Sequence, residues 1–273
     1  MAEPIVEVAE AAGVGVDGID RPTEDRVVRL ANAIILADGV AALHEGERSG
    51  GWYAGQLCAA LADGLTATPD ADLRLLLATA ISTVVVRHSL TPGSAPCSSV
   101  AVLRWSADLV DGLVLAGSPV VVFTDRGAHL LADDRPAGNS GPGDYRRRLR
   151  AGGGFGPEHQ AALRQSDSIN RRKRNTDGGF WIAEADPAAA GHARIASWPR
   201  AHVTEALLVS DGVSCGVDDY HIFDWQGVLD HALRTGTPAV LTMVRVAEVA
   251  DPHGLQWPRP QRHDDKTLVL VRF

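Results

Sequence analysis

Cysteine is scarce in this chain. Cys58, Cys97 and Cys215 are odd in number and form no CxxC pair. That argues against a disulfide framework or a thiolate zinc knuckle and fits a reducing cytoplasm. Long apolar runs are missing as well, and none approaches the ~20 residues that a membrane span needs. The opening residues, MAEPIVEVAEAAG, lack the basic stretch of a signal peptide. Positive charge is in deficit: the formal net charge is −8, which favours solubility and disfavours a nucleic-acid partner. Aromatics are sparse where the chain is basic, with only Tyr145 and Phe155 interleaved, so a base-stacking platform is not expected. The expectation is a cytoplasmic protein with no membrane partner.

What is present suits an ordinary globular domain: of 273 residues, 45% are hydrophobic and 22% charged. Val27–Ala37 reads as a strand that stops at the turn Asp38–Gly39. Helices are expected over Trp52–Leu65 and from Pro69–Asp70 to about His88. Ser98–Trp105, Leu109–Leu115 and Val120–Thr124 follow as short strands of an antiparallel meander. Gly179–Ala185, Ala193–Ser197, Ala206–Ser210 and Thr267–Phe273 are further strands, with helices at Asp224–Thr235 and Pro238–Ala250. Blocks of strands alternating with pairs of helices predict stacked antiparallel sheets flanked by helices, an α+β fold. Residues 1–20 read as an extension with a flexible loop, and 21–273 as one domain. About 135–178 reads as a mobile basic insertion with a short helix near Pro157–Arg164.

Acidic residues stand at the ends of apolar runs. Asp38 closes AIILADG, Asp211 closes ALLVSDG, and Asp264 precedes the terminal run in HDDKTLVLVRF, while Glu24–Asp25 sit in TED. Each Asp–Gly is a turn signal on its own. Together, several oxygen ligands delivered by strand ends suit a hard divalent cation and metal-assisted hydrolysis.

The order TEDR, LADG, a long meander, LLVSDG and HDDKT resembles the PP2C family of metal-dependent protein phosphatases, over roughly Arg21 to Phe273. GGWYAGQL, RNTDGGFWIAEADP and VRVAEVAD look closest to a divergent actinobacterial-type branch. The resemblance implies an αββα sandwich with two Mg²⁺ or Mn²⁺ ions at one end. Asp38 would bridge the metals with help from the Gly39 carbonyl. Asp211 and Asp264 would complete one ion's ligands, and Glu24 and Asp25 would support the other. Metal-activated water would attack the phosphorus of a phosphoserine or phosphothreonine on a protein, or of a phosphorylated small molecule. Arg21 is the candidate phosphate ligand, one residue short of the family's step. Val40 stands where the family has a histidine, leaving His44 as a substitute general acid. Ala116–Gly117–Ser118 replaces Gly-Asp-Ser and lacks a carboxylate. These departures leave a weak or inactive pseudophosphatase, binding a phosphorylated partner, as the alternative.

Two motifs compete. Gly212–Gly216 spells GxSxG with Ser214 at its centre, and His253, His263 and Asp251 downstream, the pattern of a serine-hydrolase elbow. Gly13–Gly18 spells GxGxxG but leads into Arg21–Pro22 rather than a helix, so a loop is expected. Arg146–Arg150 and Arg171–Arg174 make the insertion a solvated loop or a flap that attracts an anionic partner.

Overall fold

The computed structural model describes residues 3–15, 17–44, 46–135 and 145–273. All strand pairing is antiparallel among the described residues and builds two five-stranded sheets. In one, β2 (Asp25–Arg29) and β3 (Ala33–Gly39) continue through β4 (Ser98–Trp105) and β5 (Leu109–Leu115) to β8 (Arg194–Pro199). In the other, β1 (Ile5–Ala11) pairs with β10 (Lys266–Arg272), followed by β9 (Val203–Val209), β6 (Val120–Thr124) and β7 (Gly127–Leu131).

Period-two alternation sorts the side chains into layers. Ile34 and Leu36 of β3 meet Leu208 of β9 and Val269 and Val271 of β10 in a core between the sheets. Ala33, Ile35 and Ala37 face the other way, against α1 (Gly50–Ala67) and α2 (Leu73–His88). Leu207, Val209, Leu268 and Leu270 likewise face α6 (Trp225–Thr235) and α7 (Thr237–Ala250). The result is the αββα sandwich. Ser49 caps α1, accepting from the Trp52 N–H at 3.1 Å, and Asp72 caps α2, accepting from Leu75 N–H at 3.0 Å.

Several expectations need correcting. The single strand at Val27–Ala37 is a hairpin, because the chain reverses at Leu30, whose N–H donates to the Ala33 carbonyl at 2.8 Å. Residues 1–20 are not a mere extension: Ile5–Ala11 form the edge strand on β10, with Ala9 buried under the helices. Gly179–Ala185 is not a strand and makes only isolated bridges, Ser98 with Ala183 and Arg174 with Phe180. Within the insertion, residues 136–144 lie outside the described residues. The remainder holds α3 (Tyr145–Arg150) and α4 (Pro157–Lys173), longer than the short helix expected. Both dock on the body through Leu149, Phe155 and His159, whose Nε2 lies 2.7 Å from the Pro260 carbonyl. No helix among the described residues is long and apolar enough to cross a membrane.

Deleting residues 3–11 is expected to lower the urea midpoint of unfolding clearly, since it uncovers the β10 edge and the apolar face under Ala9. An unchanged midpoint would return this segment to the status of an appendage.

Candidate active site

The alternation that builds the core also delivers its polar end. Continuing from Ile34 and Leu36, the next inward position on β3 is Asp38. Counting in the same way from Val27 on β2 gives Asp25, from Leu208 on β9 gives Ser210, and from Val269 on β10 gives Thr267. Asp25 and Asp38 are direct cross-strand partners, an arrangement that like charges disfavour. The sheets are stitched here: Thr267 Oγ1 donates to Asp25 Oδ2 at 2.7 Å, and the Asp211 N–H reaches Asp38 Oδ2 at 3.4 Å. The Ser210 hydroxyl also donates to Asp25, and Thr267 N–H donates to Ser210 Oγ at 2.9 Å.

Asp211 begins α5 (Asp211–Asp218), a helix not expected from sequence. Asp264 lies alongside: a side-chain carbon added at Gly212 would stand 3.3 Å from Asp264 Cβ. Asp25 is buried, Asp38 and Asp264 are half-buried, and Asp211 opens to water. The four thus meet at a recess that solvent reaches at Asp211, with Asp25 at its buried end. Loss of hydration, followed by repulsion from Asp211, Asp25 and Asp264, holds the Asp38 carboxyl well above the usual range. Desolvation, then Asp264 and Asp25, pushes Asp211 up to about 7, although water at its mouth screens part of this. Desolvation also raises Asp25 to about 6 despite its two hydroxyl donors, and raises Asp264 despite Lys266. Asp25 Oδ1 is buried with no hydrogen-bond partner.

A second acidic group brackets the first. Burial raises Glu24, while Arg21 and the Gly51 N–H act against the rise. Arg21 pairs with Glu24 at 2.9 Å and with Asp265 at 3.0 Å. Asp265 also accepts from Gly13 N–H at 2.7 Å and Glu24 N–H at 2.9 Å. Arg21 is therefore engaged with protein carboxylates. Glycines make these approaches possible, because a Cβ on Gly39 would fall 2.2 Å from the Gly50 carbonyl carbon, and one on Gly51 would fall 2.7 Å from Glu24 Cα. The Gly39 N–H donates to the Glu24 carbonyl at 3.3 Å.

Of the sequence candidates, Asp25, Asp38, Asp211 and Asp264 come together, with Glu24, Gly39 and Arg21 beside them. His44 does not join them: its ring turns to Asp167 on α4, with Nε2 at 3.6 Å. Among the described residues no three His, Cys, Asp or Glu side chains yet enclose a single ion position. The GxSxG match forms no elbow. It lies within α5, where Ser214 Oγ points to the Asp211 carbonyl at 3.5 Å, and His263 is bound to Glu248 at 2.9 Å. The GxGxxG loop is not free either, since Gly13 sits on the backbone of His263–Asp265.

Sequence reasoning missed Lys266 and named Arg146 only among the basic residues of the insertion. Lys266 is fully buried, donating to Glu248 at 2.7 Å and to the Asp264 carbonyl at 3.0 Å. A lysine inside an apolar strand flanked by acids was the available signal. Arg146 of α3 lines a cavity of about 160 Å³ together with Asp211 and Asp264. It approaches Asp219 at only 4.0 Å, and Nε donates to the Tyr145 hydroxyl at 3.1 Å.

No protein-family model matches this chain, and no curated protein does. Solved structures do match. The Mycobacterium tuberculosis serine/threonine phosphatase PstP/Ppp superposes with a TM-score of 0.58 at 14% identity, covering 99% of this chain and 98% of that one. The PPM Ser-Thr phosphatase MsPP from Mycobacterium smegmatis, in complex with cacodylate, gives 0.57 at 16% identity, with 98% of each chain covered. The catalytic domain of the phosphatase PstP in complex with 2 manganese ions gives 0.56 at 14% identity, over 98% of this chain and 97% of that one. At these identities the likeness establishes a PP2C-type phosphatase fold.

Carboxylates raised from 3.8 to about 6 and about 7 bind more protons folded than unfolded. Their contribution to stability therefore falls as pH rises through that interval. In EDTA the melting temperature is expected to drop between pH 5 and pH 7.5. Asp38→Asn should raise it at pH 7.5 and flatten the slope. Thermal melts in which Asp38→Asn lowers stability at pH 7.5 would contradict the mutual repulsion.

Proposed function

We propose that this chain is a metal-dependent phosphomonoester hydrolase of the PP2C type. The observation that carries the reading is the meeting of Asp25, Asp38, Asp211 and Asp264 in one solvent-reached recess. The donor set is all hard oxygen and one buried carboxylate oxygen lacks a partner, which fits Mg²⁺ or Mn²⁺ and not a soft metal. Asp38 would be shared between two ions, with Asp211 and Asp264 serving one and Glu24, Asp25 and the Gly39 carbonyl serving the other. When bound, such ions offset the crowded negative charge, lower the pKa of water and neutralise phosphoryl oxygens.

The chain's own residues supply the rest. Lys266 and Glu248 hold the backbone that carries Asp264. Thr267 and Ser210 orient Asp25. Arg21 is spent on Glu24 and Asp265, so the phosphate-binding role passes to Arg146, whose guanidinium shares the cavity with Asp211 and Asp264. At about 160 Å³ the cavity is well below the about 300–1,000 Å³ of pockets that engulf small ligands. It suits the tip of a phosphorylated side chain presented by a protein, phosphoserine or phosphothreonine, better than a whole phosphorylated metabolite.

A second reading is a binder of phosphorylated partners without turnover. The engagement of Arg21 and the turning of His44 to Asp167 favour it.

Hydrolysis of para-nitrophenyl phosphate decides between them. The enzyme reading expects turnover that needs Mn²⁺ or Mg²⁺, disappears in Asp38→Asn and Asp211→Asn, and survives Ser214→Ala. Arg146→Ala should raise KM by about tenfold, the scale of one lost charge-assisted hydrogen bond, with Mn²⁺ affinity unchanged in calorimetry. No metal-dependent turnover together with retained phosphopeptide binding would select the binder.

A further inference from the structure

A separate cavity of about 360 Å³ lies on the outer side of the sandwich, and none of the four recess carboxylates lines it. Its wall is built by the loop after Gly39, the end of α2 with the loop that follows it, and the C-terminal end of α4. Arg48, Arg171 and Arg174 line it, with the hydroxyl-bearing Thr91 and Ser94.

The arginines are not equivalent. Arg171 is spent: it reaches Asp167 at 2.6 Å and Glu47 at 2.8 Å, and these are the carboxylates of the wall. Arg174 gives one nitrogen to Glu184 at 3.1 Å and stands 3.9 Å from Asp167 with another. Its side chain is only 5% exposed, and its Nε is buried with no hydrogen-bond partner. Arg48 has no carboxylate partner among the described residues; its guanidinium lies 4.7 Å from the Trp52 ring centre. Among the described residues the cavity therefore carries one guanidinium free of carboxylates, Arg48, beside Arg174, while Arg171 bridges the two wall acids. An oxyanion there gains a charge-assisted hydrogen bond from Arg48 and has a second cation, Arg174, on the same wall. A cation would have to displace Arg171 from both acids.

We propose that this cavity is a second anion-binding site, holding one carboxylate or phosphate group between Arg48 and Arg174. Its floor includes Val40, whose N–H donates to the Cys97 carbonyl at 3.0 Å, and Val40 directly follows the Asp38–Gly39 turn. An occupant thus braces the loop that leaves the candidate active site. The group arrives on an acidic segment of a protein or as a free small anion.

Calorimetric titration in EDTA at fixed ionic strength tests this without drawing on catalysis. The probes are inorganic sulfate and an unphosphorylated hexapeptide of glutamates. Saturable binding is expected, weakened about tenfold in Arg48→Ala and partly restored in Arg48→Lys. Saturation by sulfate marks the free anion as the source; saturation by the peptide alone marks an acidic protein segment. Arg48 is exposed, so its replacement leaves the fold intact, as circular dichroism would verify. No saturable heat with either probe, or equal affinity in Arg48→Ala, overturns the proposal. Loss of para-nitrophenyl phosphate turnover in the wild type would bear only on the hydrolase reading.

Discussion

Like charges crowded at the ends of paired strands set the constraint to which the rest of this molecule answers. Asp25 and Asp38 face each other across a hydrogen-bonded ladder, and Asp211 and Asp264 approach from the other sheet. A sandwich that served only its own stability would not retain this arrangement, because repulsion and lost hydration act in the same direction. The surroundings hold it by other means. Hydroxyls of Ser210 and Thr267 serve Asp25, and Lys266 stands beneath Asp264 with Glu248 as its own counter-charge. The recess is braced rather than neutralised.

Much of this could be read from the sequence because sheet alternation is arithmetic. Alternation announces Asp38 on the inward side of β3, whereas Asp211 and Asp264 stand just beyond the ends of β9 and β10 and were marked only by their place beside apolar runs. The sandwich followed from strands grouped between helix pairs. Residues whose roles depend on distant partners were not legible. Arg21 looked like a free cation, and only the fold brings Asp265 to it. His44 stood near Asp38 in sequence, yet α4 supplies Asp167 as its neighbour. The strand Ile5–Ala11 was hidden by its alternation with glutamates, which an edge strand tolerates and even favours.

The insertion illustrates how composition misleads. Its arginines suggested a solvated, mobile stretch, yet many have partners. Arg171 and Arg174 meet Asp167, Glu47 and Glu184, and Arg148 bonds the Gly153 and Gly154 carbonyls. Leu149 and Phe155 then anchor the pair of helices to the loop before β10. One face of this unit borders the acidic recess through Arg146, and its far end borders the outer cavity. The same small module thus borders both cavities.

The clamp on Asp265 has a consequence for how the protein is made. Gly13 and Glu24 grip a carboxylate more than two hundred positions away, across separations of 252 and 241 residues. Contacts of such range form late and slowly. Asp25 and Asp38 meet within one local hairpin, but Asp211 and Asp264 join them only when β10 slots between β1 and β9. Part of the repulsion that the finished fold carries is therefore deferred until the two sheets close on each other.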